Sequence, residues 1–198
     1  MWGLVIGWMT GAALAGDGTC GLLGADKIDL GGITAVALRG VEGDVEVVAA
    51  DGFEVRQGSS VCTTPDKHAP VVVRLARKGT VLVATVSSDG EPPKLTFSVP
   101  RTIAALTVDE QVGALAVRDV PTRVAVLSNE GPVEVTGAKS LRVAYGRGDV
   151  RADRLESDVI LDHVTGNVAV DDVAGGLATS NISGTVHHTN VRGAVEAL

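Results

Sequence analysis

Four groups of residues in this chain have types and spacings that could do chemistry. Asp162-His163 and Ser180-Asn181 stand eighteen residues apart, and a serine, an imidazole and a carboxylate brought together could transfer acyl groups, the imidazole taking the serine proton. No sharp nucleophile turn and no oxyanion donor accompanies them, so they read as surface residues, with His163 stacked between Tyr145 and Asn181. Asp153 and Asp171 share that eighteen-residue separation. Carboxylates held about 5 Å apart could serve a retaining glycosidase or bind calcium. His187-His188 could ligate a transition metal. Gly16-Asp-Gly18-Thr-Cys-Gly21 fits the dinucleotide fingerprint letter for letter, but that fingerprint needs a helix after it. Leu22-Leu23-Gly24 and Gly31-Gly32 are poor helix material. None of these groups brings the acceptors, cleft or flanking elements its chemistry requires, so no catalytic residue, cofactor site or metal ligand is assigned.

The elements that would position such residues are legible. Gly113-Ala-Leu115-Ala-Val117 returns as Gly131-Pro-Val133-Glu-Val135, Gly148-Asp-Val150-Arg-Ala152, Gly166-Asn-Val168-Ala-Val170 and Gly184-Thr-Val186-His-His188. A fixed period marks a solenoid, in which each unit completes its neighbour's core. Two and four residues after each glycine the columns are largely aliphatic, a spacing of two that puts both side chains on one side of a strand. Further columns read Val120, Ala138, Leu155, Val173, Val191, then Val124, Leu141, Val159, Leu177, Val195 and Val126, Val143, Leu161, Thr179, Ala197. The last two hold if the second unit is one residue shorter. The glycines oppose a helical solenoid and suit corners of positive φ. Asp153-Arg154, Asp171-Asp172 and Thr189-Asn190 crowd the second corner, where such side chains bond backbone groups in turns. The pattern predicts an all-β parallel solenoid with coils of about eighteen residues and strands roughly 4.8 Å apart.

The N-terminal part has a different texture. Residues 1–15 carry no charged side chain, include Leu4-Val5-Ile6-Gly7-Trp8-Met9 and end on Ala13-Leu14-Ala15, the small residues a signal peptidase reads. We expect a signal peptide at 1–15, a linker at 16–27, an N-terminal β region at 28–95 and solenoid coils at 96–198. Within the β region, Val71–Leu75 and Thr80–Val86 flank Arg77-Lys78-Gly79 as a hairpin would. Cys20 and Cys62, the only cysteines, pair as a disulfide in an exported chain. The net charge of −7 and the absence of a Lys/Arg run disfavour nucleic acid and anionic membranes.

Ile33-Thr-Ala-Val, Gly43-Asp-Val-Glu-Val47, the hairpin, Val99-Pro100-Arg101, Leu106-Thr-Val108 and the Gly-x-Val-x-Val coils follow one another in an order that resembles the bacterial putative-adhesin family. These are exported β-solenoids classed as a domain of unknown function. The resemblance covers most of the chain after residue 27. It implies a right-handed parallel β-helix at the cell envelope, and no catalytic residue comes with it.

The expected function is therefore a non-enzymatic structural or protein-interaction module, periplasmic, secreted or at the cell surface. It would meet an unknown protein or envelope component, with no membrane span after signal removal and weak end-to-end association between copies. The contrasting reading is a carbohydrate-active enzyme or calcium-binding solenoid using the acidic corners. A third, a cytoskeletal polymer, needs the apolar N-terminus uncleaved. Beyond Trp2 and Trp8, only Phe53, Phe97 and Tyr145 are aromatic, so a polysaccharide lyase or lectin, which leans on flat aromatic platforms, would be unusual on this solenoid. Asn181-Ile-Ser183 fits a glycosylation sequon.

Overall fold

The computed structural model describes residues 20–24, 29, 31–62 and 69–197. The signal-peptide expectation over 1–15 lies outside the described residues, as does most of the linker and of the fingerprint at 16–21. The described residues form strands and turns, with no helix.

The glycine-led repeat becomes a stack of parallel strands. Leu115 lies in register with Val133, Val133 with Val150, Val150 with Val168, and Val168 with Val186. On the facing sheet Val124 lies in register with Leu141, Leu141 with Val159, Val159 with Leu177, and Leu177 with Val195. The one-residue deletion in the second unit is thus real. A third, narrow side comes from the two-residue strands Asn129–Glu130, Gly146–Arg147 and Val164–Thr165. Each coil visits a nine-stranded sheet, turns, and visits a thirteen-stranded sheet. This is a β-helix-like solenoid, its core zipped along the axis.

Alternation decides which side chains enter that core. Leu115, Val133, Val150 and Val168 are each 1 % exposed, and Val117, Val135 and Val170 are wholly buried. The last coil differs: Val186 and Val195 are 40 % and 47 % exposed, because each lies on the outermost strand of its sheet, with a neighbour on one side.

The glycine column is a matter of space as well as torsion. Gly148 has φ of +141°, where a side chain is strained, and a Cβ there would run into the carbonyl of Gly131 on the coil below. The second corner also turns through positive φ, at Asp119, Arg154, Asp172 and Asn190, but its side chains do not behave as expected. They bond one another along the stack: Asn190 Nδ2 donates to Asp172 Oδ1 at 2.9 Å, and the Thr189 hydroxyl donates to Asp171.

Both sheets run through residue 96 without a break. Ala35–Glu42 pairs in parallel with Ala105–Val112, and Asp44–Ala50 with Leu115–Arg118, so residues 35–50 already make a coil. The intervening chain folds back beneath it. Val81–Ser88 and Lys94–Pro100 continue the two sheets in parallel. The hairpin of Val71–Lys78 with Val81–Ser88 and the antiparallel strand Glu54–Gln57 then complete this end. The Cys20–Cys62 disulfide, with Cα atoms 4.9 Å apart, ties the strand Cys20–Leu23 to the segment after Ser60–Val61.

Two buried amides serve the glycine corners. Gln111 Nε2 donates to the carbonyls of Gly43 and Ala114 at 2.9 and 3.3 Å, and Asn129 Nδ2 donates to that of Gly131 at 2.7 Å. Carbonyls buried at a tight corner need such donors.

Candidate functional site

Three places gather polar side chains, and the coil register positions all of them. The first is the corner between the longer strands of the thirteen-stranded sheet and its two-residue strands, where Tyr145, His163 and Asn181 climb the stack. The Tyr145 and His163 rings lie 5.0 Å apart, tilted by 35°. Asp162 Oδ1 accepts three hydrogen bonds: from Ser180 Oγ at 2.6 Å, Asn181 Nδ2 at 3.0 Å and His163 Nδ1 at 2.9 Å. The Ser180 hydroxyl, then Asn181 and then His163, hold the carboxyl at about 2, below its ordinary 3.8, while partial burial pushes the other way. Sequence reasoning brought these residues together correctly. Their wiring is not that of a hydrolase: serine and imidazole both donate to the carboxylate, and the serine proton does not point to the imidazole.

The second place is the acidic corner. Asp153 and Asp171 are register partners in adjacent coils, yet each carboxylate is engaged separately. Asp153 Oδ2 accepts from Arg154 Nε at 3.3 Å and Asp171 accepts from Thr189. Arg154 also reaches Asp119 at 3.2 Å. The two carboxylates are held by separate partners, and no group of three or more His, Cys, Asp or Glu that could hold a metal gathers among the described residues. His187 and His188 lie on the exposed last coil, and adjacent residues of a strand point to opposite faces, so they do not converge on one ion.

The third place was not legible in the sequence. Across the outer face of the nine-stranded sheet runs a groove of about 890 Å³, reaching from Lys94 and Thr96 to Thr185 and His187. It crosses seven successive strands, about 29 Å at the usual strand spacing. Its floor mixes small and charged side chains: Glu46, Ala116, Glu134, Arg151, Ala169. Arg118 bridges Glu46 at 3.1 Å and Glu134 at 3.0 Å. One rim is a ladder in which Asp44 Oδ1 accepts from the Ala114 amide, Asp149 Oδ1 from the Asn167 amide, and Asn167 Oδ1 from the Thr185 hydroxyl. The signal was present as the second residue of each repeat unit, which is small or polar throughout, but only the stacking turns that column into a wall.

No family model matches the chain, and no curated protein does. Among solved structures, the chain is similar to a putative adhesin from Bacteroides fragilis at 13 % identity, covering 84 % of this chain and 92 % of that one with a TM-score of 0.36. A likeness of that extent assigns no function.

Proposed function

We propose that the chain is a non-enzymatic, exported, adhesin-like module of the cell envelope that holds an extended protein or envelope polymer along the groove of its nine-stranded sheet. The groove carries this reading. A groove that crosses seven successive strands suits a ligand that extends, and its paired charges supply orientation more than affinity. Export is supported by the Cys20–Cys62 disulfide, a bond that persists in oxidising compartments. The net charge of −7 supports a partner other than nucleic acid. The coil is taken to wind right-handed, as parallel crossover connections do, with turns of about eighteen residues.

The test is groove filling. Ala116→Trp and Ala169→Trp place large side chains on the floor without entering the core. Capture from the native envelope by the wild-type chain, lost in the double variant at an unchanged melting temperature, is the expected result. Equal capture by both proteins would remove the groove from the function.

A further inference from the structure

The groove leaves unexplained the one exposed aromatic surface among the described residues. Tyr145 is 59 % exposed although His163 of the next coil stacks on it, and it borders a separate pocket of about 350 Å³ with Ser128, Glu130, Arg147, His163 and Thr165. The Glu130 and Arg147 side chains face each other at 2.9 Å, both largely solvated. This pocket therefore offers an aromatic face flanked by the Glu130–Arg147 pair, an imidazole and the Thr165 hydroxyl, while the Ser128 hydroxyl is held by Asp109 and the Glu110 amide.

The combination points to a ligand class by fit. Glu130 and Arg147 neutralise each other at 2.9 Å, so neither is free to recruit a bare ion of opposite charge. An apolar ligand would strip water from charged walls without replacing their hydrogen bonds. A ligand that fits this lining is an uncharged, polyhydroxylated ring with one C–H-lined face, which can stack on Tyr145 while its hydroxyls both give and take hydrogen bonds. We propose that the Tyr145–His163 corner is a saccharide subsite that stacks one pyranose ring of a neutral glycan. Sparse aromatics oppose an extended sugar cleft, but a single-ring subsite needs only one platform.

Tyr145 is the chain's single tyrosine, so the full chain labelled with 3-fluorotyrosine gives one fluorine resonance that reports this corner. Cellohexaose and hexa-N-acetylchitohexaose are the probes. A saturable shift with at least one of them, at about millimolar concentration, is expected for one stacked ring with a few hydrogen bonds. Arg147→Ala should weaken it at least about fivefold, and Arg151→Ala, in the groove, should leave it unchanged. No shift with either glycan up to about 10 mM, a range reaching well past weak single-site affinity, overturns the proposal. An equal response in Arg147→Ala, or a response to spermidine or polygalacturonate in place of the neutral glycans, does so as well.

Discussion

Asp162 concentrates the chemistry of the coil corner in one atom. Its Oδ1 receives the Ser180, Asn181 and His163 donors, and each of these bonds favours the ionised carboxylate. With the folded value at about 2 and the ordinary value at 3.8, the unfolded chain takes up the proton first as pH falls. The contribution of Asp162 to stability is thus complete above about pH 4 and disappears as pH drops through about 2. Carboxyl carbon NMR should place its midpoint near 2, and Ser180→Ala should return it toward 3.8 by more than Asn181→Ala does, since the serine bond is the largest cause. A wild-type midpoint near 3.8 would contradict the three-donor arrangement. The neighbourhood of Tyr145, His163, Ser180 and Asp162 was legible because an eighteen-residue repeat stacks residues one period apart. The direction of the hydrogen bonds was not, because it depends on rotamers that no spacing encodes.

Among the strands, period two carried the reading. Val133, Val150 and Val168 are inward, as the Gly-x-Val-x-Val pattern required, and Val168 is 1 % exposed between Val150 and Val186 in the ladder. Val168→Asp should therefore lower stability by about 3 kcal/mol or more, since a buried carboxylate there has no partner. Ala169→Asp, on the outward face, should change it by less than about 0.5 kcal/mol. Urea melts that shift equally for both would show that the inward assignment is wrong. Two kinds of strand escaped the sequence. Gly146–Arg147 and its stacked companions are two residues long, too short to display any period. The parallel pairing of Val81–Ser88 with Ala35–Glu42 joins segments far apart in the chain, and alternation announces a strand without naming its neighbour. The hairpin around Gly79 was readable because its partner is local.

At the level of the molecule, the coils form a one-dimensional stack, so stability adds unit by unit through nearest-neighbour contacts and the ends are the weak points. The N-terminal end is closed by strands that turn antiparallel, Glu54–Gln57 and Val71–Lys78, over a core that includes Phe97 and the tilted Phe53 ring 6.4 Å from it. The disulfide spans 42 residues of this end, and a loop of that length corresponds to about 4 kcal/mol in the chain-entropy account. Cys20→Ser with Cys62→Ser should accordingly release the cap before the coils. In hydrogen exchange, amides of Val71–Lys78 and Val81–Ser88 should lose protection while those of Val150–Leu155 and Val168–Val173 keep theirs, because sub-global opening follows the least supported unit. If protection instead falls uniformly from the cap to Val168, the stack behaves as one cooperative block, and the disulfide stabilises every coil rather than the end it closes.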